Sequence, residues 1–145
     1  MNVRVCRRLR PGCLLGSIFA LGLFAALPPN ARAQTSQVVY ADSLQNGWQN
    51  WSWATVNLSS TTQVHSGSQA ISVNAANWQA LYLAATLPID PAVFTELTFW
   101  INGGASGGQT VHVQGTVNSA GQTAVTLAPL PTNGWRQETI PLAAL

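Results

Sequence analysis

Beyond residue 33, apolar residues recur at every second position in several short runs, and no window of helical length carries an i, i+3, i+4, i+7 stripe. Leu97, Phe99 and Ile101 alternate with Thr98 and Trp100, Val111, Val113 and Val117 alternate within TVHVQGTVNS, and Ile71 and Val73 alternate with polar neighbours. Successive side chains of an extended segment point to opposite faces, so this pattern buries one face of a strand and wets the other. Turn residues separate the runs: Asn46-Gly47 after Val38-Val39-Tyr40, and His65-Ser66-Gly67-Ser68 before Gln69-Ala70-Ile71. Further strands are expected at 78–85, 123–128 and 135–140. The glycine-rich run 103–108 is expected to join the 97–101 and 111–117 strands as a hairpin loop. In LPIDPAVFT, Pro88 and Pro91 forbid a regular helix or a central strand. The fold class is therefore all-β, a two-sheet antiparallel β-sandwich.

Residues 1–33 differ from the rest. Four arginines fall in residues 1–10, residues 13–27 are almost wholly apolar, and Ala31-Arg32-Ala33 offers small residues where a signal peptidase reads. This is the pattern of a signal peptide, with cleavage expected before Gln34. An apolar run of this length is too short to cross a bilayer core, which needs roughly 20 helical residues. Arg7-Arg8 invites a twin-arginine reading, but Arg10 and Pro11 occupy positions that such a signal fills with apolar residues. The mature protein, residues 34–145, is expected to be secreted, extracellular or periplasmic, with no membrane association after cleavage. Both cysteines, Cys6 and Cys13, lie in the leader, which leaves the body with no disulfide and no thiolate metal site.

Residues 34–145 contain one cation, Arg136, and four acids, Asp42, Asp90, Glu96 and Glu138, for a net charge of −3. A nucleic-acid partner is excluded, since binding one requires a basic surface. Ser, Thr, Asn and Gln make up 42 of these 112 residues, so the surface is wetted by neutral hydrogen-bonding groups and suits a neutral polar partner.

Six tryptophans, Trp48, Trp51, Trp53, Trp78, Trp100 and Trp135, are the strongest chemical feature. An indole face stacks on the C–H face of a pyranose, and nearby amides bond its hydroxyls. If 48–53 is extended, Trp51 and Trp53 share one face, about 6.5–7 Å apart, and Trp48 takes the other. That spacing would make one platform of adjacent rings. Trp51, Trp53 and Trp78, surrounded by polar residues, are the binding candidates, with Asn50 and Gln79 among the amides that would meet sugar hydroxyls. Trp100, between Phe99 and Ile101, reads as core, Trp135 as a cap on one end of the sandwich, and Tyr82 as a half-buried structural residue. Asp90, between Ile89 and Pro91, reads as a turn former. No pair of acids suggests the two carboxylates of a glycosidase, and no GxSxG elbow or phosphate loop is present. A non-catalytic role is expected.

The succession VVYADSL, NGWQNWSWA, VHSGSQAISV, WQALYL, LTFWINGG and NGWRQETIPLAAL resembles the galactose-binding-like jelly-roll domains attached to secreted bacterial polysaccharide-degrading enzymes. The likeness spans residues 38–145. It implies a jelly roll that binds neutral polysaccharide, a catalytic domain as partner in the full-length protein, and a structural calcium ion. Asp42, with carbonyls and hydroxyls of residues 66–68, is then the candidate calcium ligand. It also implies that one or two strands normally follow the IPL segment, so the sandwich is expected to be truncated at its C-terminus, with a sheet edge unpaired. The alternative is a structural or adhesive extracellular β-sandwich whose tryptophans are buried against a neighbouring domain.

Overall fold

A computed structural model describes the backbone of residues 3–6 and the whole of residues 36–145. The strands are β1 (Val3–Cys6), β2 (Ser36–Ala41), β3 (Ser43–Leu44), β4 (Gln49–Asn50), β5 (Thr55–Ser60), β6 (Ala70–Asn74), β7 (Leu83–Ala84), β8 (Glu96–Asn102), β9 (His112–Val117), β10 (Ala120–Thr126) and β11 (Trp135–Pro141). A single 3-10 turn, Leu142–Ala144, follows them. β11, β8, β1, β2 and β3 lie side by side in one five-stranded sheet, while β9 pairs with β10, β4 with β7 and β5 with β6. All of these pairings are antiparallel. The fold is thus all-β and antiparallel, as the alternation requires. The remainder of residues 1–33, with the expected cleavage site, lies outside the described residues. No helix among the described residues is long and apolar enough to cross a membrane.

The core follows from the alternation in β8. Leu97, Phe99 and Ile101 project to one side, where Phe99 is sealed with Val39 of β2 and Ile140 of β11. Val113 of β9, Val125 of β10 and Leu127 close the core from the facing layer, which makes the arrangement a sandwich. The β9–β10 turn uses Asn118 and Ser119, both in the left-handed region (φ 50° and 64°), the conformation that matches the strand twist in a two-residue hairpin. Arg136 extends the order beyond β11: its guanidinium pairs with Glu138 and donates to the carbonyls of Pro129 (2.9 Å) and Ala128 (2.8 Å).

Several local expectations are corrected. The glycine-rich run does not close a hairpin, because β8 pairs with β11 and β9 with β10. It carries the chain from one sheet to the other, pinned against residues 130–133 by Gly103 N to Pro131 O (3.1 Å), Gly108 N to Leu130 O (2.7 Å) and Asn133 N to Gly104 O (2.7 Å). Only Leu83–Ala84 of the segment 78–85 joins a ladder, because Trp78 is in the left-handed region at φ 66° and breaks the extension. The strand expected at 123–128 runs over Ala120–Thr126. Trp100 is not core: Phe99 takes the inward position, so its neighbour must face out.

Candidate functional site

The segments 48–54 and 80–84 run antiparallel. Their ladder begins at Gln49–Ala84 and Asn50–Leu83 and continues irregularly through Trp51 N to Tyr82 O (2.9 Å) and Trp53 N to Ala80 O (3.3 Å). Ser52 Oγ accepts from Tyr82 N at 2.9 Å and fixes the two segments in register. Period two then sorts the side chains. Trp48 and Leu83 pack on the core, and the intervening positions Gln49, Trp51, Trp53 and Tyr82 gather on the opposite side.

Trp51 and Trp53 are 60% and 57% exposed, and each ring centroid lies 6.1 Å from that of Tyr82. The indole planes are inclined to the Tyr82 ring by 68° and 57°. The three rings therefore do not share one plane, and together they form a cluster of inclined faces, termed here the notch. Hydrogen bonds hold each ring: Trp51 Nε1 donates to Gln49 Oε1 (3.0 Å), Trp53 Nε1 to Trp78 O (2.7 Å), and the Tyr82 hydroxyl bonds Thr116 Oγ1 of β9 (3.1 Å). Fixing a ring before a ligand arrives lowers the entropy cost of binding.

Trp78 is 96% exposed. A bulky residue at positive φ is a conformational outlier, of a kind that collects at functional sites. The turn is held by Gln79 N to Ala76 O (3.1 Å) and by Ala76 N to Gln79 Oε1 (2.9 Å). Of the two expected amides, Gln79 thus braces the Trp78 turn, and Asn50 Oδ1 accepts from Ser52 N at 3.1 Å. Both side chains use their carbonyl oxygens on the scaffold, which leaves their NH2 groups for a ligand. Tyr82, read from sequence as structural, is the aromatic that unites the notch.

Asp42 lies away from the aromatics. Its Oδ1 accepts from Ser68 N and Gln69 N, both at 2.9 Å, and its Oδ2 from Ser68 Oγ at 3.1 Å. The backbone N–H groups of Gln69 and then Ser68 hold its carboxyl below the ordinary carboxylate range. Among the described residues no three His, Cys, Asp or Glu side chains gather where they could hold a metal ion. A calcium cage needs six to eight oxygens; here one carboxylate faces donor hydrogens, so the residues around Asp42 do not fit that ion. The neighbouring Tyr40 donates its hydroxyl to Leu58 O (2.6 Å), and burial, followed by the Asp42 charge, raises its pKa.

On the other side of β8, His65 stacks on Trp100, with centroids 4.0 Å apart and planes inclined by 17°, and meets the edge of Trp135 at 5.4 Å. Those two tryptophans are half-buried. Asp90 shapes its turn, accepting from Ala92 N at 2.8 Å, and Glu138 pairs with Arg136. His112 bonds Thr126 Oγ1 at 2.9 Å across the β9–β10 ladder.

No protein-family model matches the chain. An endoglucanase of Dictyostelium discoideum is 33% identical over 104 residues, an alignment that covers 67% of this chain and 15% of that protein. The chain therefore corresponds to a small part of the relative's length. Sequence similarity ties this all-β unit to a segment of a glycoside hydrolase.

Proposed function

We propose that the protein is a secreted, non-catalytic carbohydrate-binding module that holds a neutral glucan chain in the notch formed by Trp51, Tyr82 and Trp53, with Trp78 as an outlying contact. The observation that carries this reading is the pair of indoles, each more than half exposed, fixed by hydrogen bonds and each in contact with one tyrosine. An indole so placed offers its face to sugar C–H groups, and the amides of Asn50 and Gln79 offer donors to hydroxyls. Charge supports a neutral ligand: Arg136, the one cation of residues 34–145, is engaged with Glu138 and two carbonyls. The endoglucanase relative makes a glucan the first polymer to try and a catalytic domain the natural neighbour. Calcium has no part in this reading.

Rings inclined by 57–68° do not present one plane to a flat crystalline face. They suit a single chain whose successive residues meet successive facets. The module is therefore expected to bind soluble glucan oligosaccharides and amorphous polymer. Affinity electrophoresis in gels containing soluble neutral glucans, with retention on insoluble ones, tests the reading. Retardation by at least one glucan is expected, and passage unretarded through all of them, with no retention, refutes it. The adhesive alternative, in which the open tryptophans Trp51, Trp53 and Trp78 are covered by a neighbouring domain, predicts no retardation by any glucan.

A further inference from the structure

The notch does not end at Tyr82. The Tyr82 hydroxyl is bonded to Thr116 Oγ1 at 3.1 Å, so the ring cluster abuts β9. Two inward positions fix the parity of that strand. Val113 packs on the core, and a Cβ on Gly115 would meet Leu145, which lies against the same core. His112, Gln114 and Thr116 therefore point to the other face, and all three are exposed. Their ladder partners on β10 are Thr126, Ala124 and Gly121, exposed as well. The bond between His112 Nδ1 and Thr126 Oγ1 spans the ladder on this face.

These six outward positions carry no carboxylate, ammonium or guanidinium group, and their polar side chains are already half committed to the scaffold. Gln114 Nε2 donates to Gln122 O, and His112 is held through Nδ1. Gln114 Oε1 is left to accept, and His112 Nε2 is left to donate or to accept according to the tautomer. Asn50 and Gln79 are arranged in the same way, one atom braced and one offered. Alternate residues of an antiparallel strand lie about 6.8 Å apart, so the row from Thr116 to His112 extends roughly 14 Å beyond the rings.

We propose that the outer face of β9 and β10 is a second, hydrogen-bonding section of the glucan site. A chain seated on Trp51, Tyr82 and Trp53 continues past Thr116 along β9, where Gln114 Oε1 and His112 Nε2 bond its hydroxyls. This rests on the reading of the notch as a glucan site and deepens it by naming the ligand class: a linear, extended, neutral glucan longer than the notch. The rings grip by stacking, and the polar row selects for length. A chain that coils would leave the strand after its first contact.

Titration of the full chain with cellotriose and cellohexaose tests this. Two further neutral hydrogen bonds are together worth about tenfold in affinity, so cellohexaose is expected to bind at least tenfold more tightly than cellotriose. In a chain carrying Gln114→Ala and His112→Ala that ratio is expected to fall at least fivefold, whereas Trp53→Ala weakens both sugars together. A smaller ratio in the parent, or a smaller fall in the double variant, overturns the proposal and leaves the notch reading intact. Binding of neither sugar overturns it too, and the gels containing neutral glucans then decide the notch reading separately. Should the double variant not fold, amide resonances of the unmodified chain decide. Cellohexaose is expected to shift those of 112–116 and 124–126 and cellotriose to leave them in place; equal shifts with both sugars, or none with cellohexaose, overturn the proposal.

Discussion

Trp53→Ala separates a binding ring from a structural one. A tryptophan side chain covers up to ~250 Å² when fully buried. At 57% exposure, roughly 100 Å² of it is covered here, worth ~2.5 kcal/mol at about 25 cal/mol per Å². Residual compactness of the unfolded chain lowers this to ~2 kcal/mol. The lost bond from Nε1 to Trp78 O adds little, because that carbonyl can turn to water. A domain of this size shifts by about 4 °C per kcal/mol, so the melting temperature is expected to fall by roughly 8 °C with cooperative unfolding retained. The loss of binding is expected to be larger in relative terms. A tryptophan at the centre of a contact contributes at least ~2 kcal/mol, a loss of about 30-fold in affinity. Titration calorimetry with the best-retained soluble glucan, beside calorimetric melting, measures both quantities. Trp48→Ala is the control. Its ring packs on the core, so ~3–5 kcal/mol of stability should go, with affinity preserved in whatever fraction remains folded. The reasoning is refuted if Trp53→Ala binds within twofold of the parent, or if it costs as much stability as Trp48→Ala.

Trp78→Gly is expected to raise the melting temperature by a few degrees, because glycine accepts φ 66° without strain, while weakening glucan retention; a fall in both would show that the indole supports the fold. Gly107→Ala should destabilise the sheet-to-sheet crossing, since a Cβ at φ 61° would overlap Thr132, and chemical denaturation would show the loss as a lower midpoint at constant m-value. Asp42 has a depressed pKa, so its contribution to the folded state is complete above the ordinary carboxylate pKa and disappears as pH falls through the lowered folded value. The protection of the Ser68 and Gln69 amides, taken relative to their intrinsic exchange rate at each pH, is expected to fall across that acid range in the parent and to be already low in Asp42→Ala. Tyr82→Phe, which removes the bond to Thr116 Oγ1, should loosen the notch and weaken binding less than Trp53→Ala, as read by the same titration.

Much of the candidate site was legible in the local pattern. Parity within 48–53 placed Trp51 and Trp53 on one face and Trp48 on the other, and their polar surroundings marked them as open. Tyr82 was not legible. Flanked by Leu81 and Leu83, it reads as an ordinary half-buried strand residue, and its role depends on Trp51 and Trp53, about 30 positions away in the chain. Trp100 was misread for the opposite reason: apolar neighbours suggested burial, although the same period-two rule that turned Phe99 inward had to turn Trp100 outward.

By itself, the sequence determined the all-β class, the inward face of β8, the Asn46-Gly47 and Asp90 turns, and the neutral, hydrogen-bonding surface. Each of these is settled by residues within a few positions of one another, through side-chain alternation or turn chemistry. The tertiary structure alone decided which strands are neighbours: β8 beside β11 and not β9, the glycine-rich run as a crossing between sheets, the inclined rings of the notch, and a strand from the N-terminus between β2 and β8. Pairing across tens of residues is selected by how whole faces bury one another, and no short window of sequence carries that information.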